Sequence, residues 1–170
     1  MNYSVAETSI VERLGPLGSE FGCEVLQMPS TQAEYKTPTG PFVWVSYERS
    51  KFDQTNDDPR LQSSGPTIQK EVMQFQITFN AKTLRGEKGI HVLMAAARLL
   101  LVGFKPTNCH KLYMIEVTPE KFEENLWTYK MVMGCQSVVM ELDGDDDEVG
   151  AEITRIRLEN TDFNEIVEAP

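Results

Sequence analysis

IQKEVMQFQITFNAK, residues 68–82, decides the fold. Met73, Phe75, Ile77 and Phe79 fall on one face of an extended chain. Val72, Gln74, Gln76, Thr78 and Asn80 fall on the other. A period of two over this length predicts one long, half-wet strand with one face on a core. After a short break the period changes. Residues 88–102 read as a helix whose core stripe is Ile90, Leu93, Met94, Ala97 and Leu101. Val92, Ala96, Leu99 and Leu100 make its other side apolar too, leaving His91, Ala95 and Arg98 as a narrow polar strip. A helix apolar nearly all round needs cover on more than one side. That cover comes either from other local elements or from another subunit, and the sequence favours a subunit.

Outward from this pair, the remaining elements follow in order. Ser4-Val5-Ala6-Glu7 matches a capping box ahead of a helix over Val5–Leu14, with Ile10, Leu14 and Leu17 at helical spacing and Gly15-Pro16 as its stop or kink. Phe21–Met28 is a short strand. Phe42–Ser50 is a stronger one with Val43, Val45 and Tyr47 on one face. Lys51–Pro66 is a long polar connection, of a kind that is either functional or disordered. Beyond the helix, Gly103-Phe104 and Pro106 end it. Strands are expected at Leu112–Val117, with Tyr113, Ile115 and Val117 aligned, and at Trp127–Leu142. The second of these places Trp127, Tyr129, Met131, Met133 and Cys135 on one face; from Val138 the alternation breaks, which marks either a bulge around Gly134 or a two-sided burial. A last strand is expected at Val149–Leu158. The order α-β-β-β-α-β-β-β implies an α/β (α+β) fold: a twisted, mostly antiparallel sheet with helices packed on it. The domain organisation is a single domain over 1–158 and an acidic C-terminal arm over 159–170.

Charge is distributed unevenly along the 170 residues, whose net charge is −10. Residues 1–140 hold 15 acidic and 14 basic side chains, a balance of −1; residues 141–170 hold 11 and 2, a balance of −9. Such an arm either docks a partner or stays solvated. Without a clustered Lys/Arg patch, nucleic-acid binding is not expected. No stretch has the ~20 apolar residues of a membrane span, and the N-terminus carries acids where a signal peptide would be apolar. Cys23, Cys109 and Cys135 are odd in number and scattered, which argues for a reducing compartment and against a disulfide framework.

Little here suggests catalysis. Phosphate loops, HExxH, CxxC and nucleophile elbows are absent. Cys109-His110 pairs a nucleophile with a base, but sequence neighbours rarely aim at one substrate, so a buried thiol beside a loop histidine is the expectation. The run Asp143–Glu148 lacks the ligand spacing of an EF-hand and reads as a solvated turn. No enzyme activity, cofactor or metal is expected.

Several residues together carry a resemblance. A leading helix precedes Ala33-Glu34-Tyr35, the strand Phe42-Val43-Trp44-Val45-Ser46-Tyr47 and a polar loop. Val72–Leu84 then runs into Gly89-Ile90-His91-Val92-Leu93, Arg98-Leu99-Leu100-Leu101-Val102-Gly103-Phe104 and, later, Trp127-Thr128-Tyr129. Over roughly Val5–Leu142 this resembles the tail terminator (tail completion) proteins of contractile-tailed phages and related injection systems. The resemblance implies a structural virion protein at the tail–neck junction, assembled in the host cytoplasm. It implies a homo-hexameric ring that caps the tail tube, stops its growth and meets sheath and neck or connector proteins. In that setting Val92, Ala96, Leu99 and Leu100 become candidate intersubunit residues. Asp53, Asp57, Asp58 and Arg60 of the loop, with Asp162, Glu165 and Glu168 of the arm, become candidate partner-docking residues. The competing readings are another neck or head-completion protein and a small ferredoxin-like ligand-sensing domain.

Overall fold

In a computed structural model of the chain, residues 3–29, 38–52, 68–123 and 125–140 are described. The chain forms two compact units, Met1–Asp53 with Lys70–Ser137, and Gln54–Gln69 with Val138–Pro170. The elements are α1 (Tyr3–Arg13), α2 (Pro16–Phe21), β1 (Glu24–Gln27), β2 (Phe42–Phe52), β3 (Ile68–Ala81), α3 (Ile90–Leu101), β4 (Tyr113–Glu123) and β5 (Leu126–Met140). They build an α+β fold around one five-stranded mixed sheet of order β1-β2-β3-β5-β4. The β2–β3 and β4–β5 pairs are antiparallel and β1–β2 is parallel. The parallel pair is possible because the connection from β1 to β2 is long enough to cross over. The strand expected at Val149–Leu158 lies outside the described residues.

β3 is the centre of the sheet, as its periodicity required. Met73, Phe75, Ile77 and Phe79 are fully buried and meet Val43 and Val45 of β2 and Met131, Met133 and Cys135 of β5. Helices α1 and α3 close this face with Ala6, Ile10, Ile90, Leu93, Ala97 and Leu101. Each buried Phe contributes about 2–3 kcal/mol of transfer free energy. The other face of β3 is drier than a half-wet strand would be. Gln74, Thr78 and Asn80 are buried, alongside Phe42, Trp44 and Val132 of the flanking strands. Their polarity is met internally: Thr128 Oγ1 donates to Asn80 Oδ1 at 2.9 Å and Arg49 Nε donates to Gln74 Oε1 at 2.8 Å. Among the described residues no buried side-chain nitrogen or oxygen lacks a partner.

Four local expectations are corrected. Ser4 lies within α1 rather than ahead of it, and the Glu7 carboxylate accepts the Tyr47 backbone N–H. Pro16 does not merely stop α1. It occupies the first turn of α2, a position that needs no amide hydrogen, and α2 takes up Phe21 from the expected strand. β4 runs on through Pro119 to Glu123, which an edge strand tolerates because its outward N–H needs no partner. The irregularity expected near Gly134 lies on the opposing strand, where register shifts between Met114 and Glu116.

The start of α3 is set by close approach. A Cβ on Gly89 would come within 2.6 Å of the Arg85 backbone, so the turn before the helix closes only on glycine. Ile90 N–H then donates to Thr83 O and His91 N–H to Leu84 O, which satisfies the first orphan donors of the helix.

Candidate assembly surfaces

Three surfaces of the sheet-and-helix unit are open. The first is the crest of α3. Its buried stripe is the expected one, with Met94 half-buried beside it. Ala96 and Leu100 pack partly against the chain's own core, where Arg13 Nε donates to Leu100 O at 2.9 Å. Val92 is half-buried, and Leu99 and Val102 project into solvent with 81% and 51% of their surface exposed. The opposite flank leans on the sheet through His91, whose ring meets Tyr129 edge-on at 6.0 Å. The chain's own fold therefore covers part of the apolar helix and leaves the crest at Leu99 and Val102 open.

The second surface is β4. The register pairs Val117 with Met131 and Phe122 with Trp127, which places Val117 and Phe122 on the same face as the core, beyond the reach of the helices. Phe122 is 52% exposed and touches Trp127 at a centroid distance of 4.6 Å. The bulge at Ile115 turns Tyr113 and Ile115 to the other face, over Gly134. The sequence showed Tyr113, Ile115 and Val117 in a strand without marking them as surface. Pro119 was the available signal that this strand would lie at an edge.

The third is a polar basin of about 420 Å³ lined by Lys105, His110, Lys111, Tyr113 and Gln136. The chain enters it from the turn after α3. Gly103 N–H donates to Leu112 O and Leu112 N–H to Phe104 O, closing residues 103–112 on themselves, and His110 N–H donates to Gln136 O, tying them to β5. Lys105 and Lys111 have no ion-pair partner among the described residues. Cys109 and His110 do not converge. Cys109 is buried with its thiol donating to Thr107 O at 3.5 Å, while His110 lines the basin. The hydrogen bond with the neighbouring Cys109 thiol, and then burial, push Cys135 well above the ordinary thiol range, and burial pushes Cys23 up to about 12, so neither is an activated nucleophile.

Among the described residues no group of His, Cys, Asp and Glu could hold a metal ion, and no helix is long and apolar enough to cross a membrane. Asp53, Asp57, Asp58, Arg60, Asp162, Glu165 and Glu168 all lie outside the described residues, as does the run Asp143–Glu148.

The model of the Gp37 protein family matches residues 10–160. The chain belongs to the Gp37 family. No curated protein matches it. Its fold is shared with a solved chain from the virion of a native gene transfer agent particle, at a TM-score of 0.55 and 15% identity over 81% of this chain and 100% of that one. The kinship with phage-tail-type proteins expected from the residues is thus upheld in family and in fold.

Proposed function

We propose that this Gp37-family chain is a structural virion protein, and within the virion a tail terminator. In this reading six copies form a ring on the last layer of tail-tube subunits, stop tube growth and present a docking surface to the neck or head connector and the final sheath layer. The role is mechanical and involves no turnover. The supporting observations are the family match and a fold shared with a chain of a gene transfer agent virion.

The observation that carries the ring is a pair of apolar surfaces left open among the described residues. Ring contacts are heterologous, so each copy needs two different patches, one to offer and one to receive. The crest of α3 at Leu99 and Val102 is one, and the Val117–Phe122 face of β4 is the other. Native mass measurement and electron microscopy of the purified chain, alone and mixed with its cognate tube, test the reading. Six-fold rings, free or at tube ends, are expected. A chain that stays monomeric at high concentration and ignores tube ends overturns it. In the same assay, deletion of Thr161–Pro170 should abolish joining to the next particle while leaving the ring intact.

A further inference from the structure

We infer that the basin lined by Lys105, His110, Lys111, Tyr113 and Gln136 receives the acidic run Asp143–Glu148 of a second copy. This deepens the ring reading and rests on it. The argument is one of charge. The body of the chain is nearly neutral, while residues 141–170 carry −9, and copies of a −10 chain repel one another unless that charge is compensated where they meet. The basin offers two lysines without ion partners among the described residues, a histidine, and hydrogen-bonding groups from Tyr113 and Gln136. Asp143, Asp145, Asp146, Asp147 and Glu148 form the densest run of carboxylates in the chain. Two lysines are too few to hold a nucleic-acid backbone, which needs an extended basic track, but they suit a short acidic segment. The contact is directional, because each copy gives its acid run and offers its basin to the run of another copy. A heterologous ring requires this.

The two readings of the acidic run predict opposite signs. If it is only solvated and repulsive, neutralising it strengthens self-association; if it clasps a neighbour, neutralising it weakens self-association. Two full-length variants make the test. One carries Asp143→Asn, Asp145→Asn, Asp146→Asn, Asp147→Asn and Glu148→Gln; the other carries Lys105→Glu and Lys111→Glu. Sedimentation at low and high salt reads self-association. A labelled peptide of residues 141–150, titrated onto the neutralised chain, reads the contact without any ring.

The expected results are saturable, salt-sensitive peptide binding, weakened roughly tenfold or more when Lys105→Glu and Lys111→Glu are added. Each variant alone should self-associate more weakly than the unaltered chain, and an equimolar mixture, which restores one acid run facing one basin, should regain association. No peptide binding, stronger association on neutralisation, or a basin that prefers duplex DNA overturns the clasp. Peptide binding with no recovery in the mixture places the contact within one chain and also overturns it. Six-fold rings that survive both variants unchanged reject the clasp and keep the ring. Peptide binding and mixture recovery without six-fold rings keep the clasp and reject the ring.

Discussion

The ring of Tyr113 lies across Gly134, its register partner on β5. A Cβ at Gly134 would sit 2.7 Å from Tyr113 Cζ and 2.9 Å from Ile115 Cδ1, distances that real side chains do not reach. The aromatic ring fills the place that glycine leaves empty in the sheet and pins the bulge of the edge strand. Gly134→Ala should therefore displace Tyr113 and Ile115 and loosen β4, at a cost of about 1–3 kcal/mol. Thermal unfolding measures the loss, and hydrogen exchange should place it in Tyr113–Glu123 while β3 stays protected. Unchanged exchange in β4 would show that the ring moves aside freely.

Tyr3 joins α1 to the sheet through a buried carboxylate. Its hydroxyl donates to Glu71 Oε1 at 2.9 Å, and Ser50 Oγ donates to the same oxygen. Its ring stacks on Tyr47 at 4.2 Å. Tyr3→Phe keeps the stack and removes one of two donors, so a loss of about 1–2 kcal/mol is expected. Burial, and then the bond to Glu71, raise the Tyr3 pKa above 10.0. The folded state holds that proton more tightly than the unfolded chain. Its stabilisation is complete below pH 10.0 and is lost as pH climbs through the raised value. Denaturant titrations of both chains at neutral and strongly alkaline pH should show the gap between them narrowing at the alkaline end.

Which parts of this molecule could be read from residues alone follows from where the large apolar side chains keep to one side. β3, β5 and α3 each carry one apolar core stripe, and Met73–Phe79, Met131–Cys135 and Ile90–Leu101 announced those stripes by period. β4 buries almost nothing. Glu116, Pro119, Glu120 and Lys121 break its alternation, so only its first half was visible. The six-residue α2 was hidden because a proline that can begin a helix also looks like one that ends a helix. The basin was invisible in principle. Lys105 and Lys111 line one basin with Gln136 because residues 103–112 close on themselves and His110 N–H ties them to Gln136 O, and pairing of that kind leaves no local mark.

Cys23 gives a second alkaline limb. Burial first, and then the charge of Glu24, push its pKa from 9.0 to about 12. A raised thiol pKa stabilises the fold fully below 9.0 and fades between 9.0 and about 12, as the unfolded chain ionises and the folded one does not. Cys23→Ala should flatten stability across that window while costing packing at neutral pH. The same burial predicts slow alkylation of Cys23 in the folded chain and rapid alkylation in denaturant. Equal rates in the two states would contradict the burial of this thiol.

Leu99 separates the folding of one copy from the joining of several. With 81% of its surface in solvent, it contributes little to its own fold, so Leu99→Lys should shift stability by no more than about 0.5 kcal/mol. Ala97 lies two residues earlier on the buried stripe, and Ala97→Lys should unfold the chain by forcing a charge between α3 and β3. If the crest of α3 meets a neighbouring copy, Leu99→Lys places an unpaired charge in an apolar contact and abolishes self-association in a chain that still melts normally. The pairing of an unchanged melt with lost association in sedimentation is the expected outcome. A Leu99→Lys chain that associates as before would take the crest out of the contact and overturn its pairing with the Val117–Phe122 face of β4.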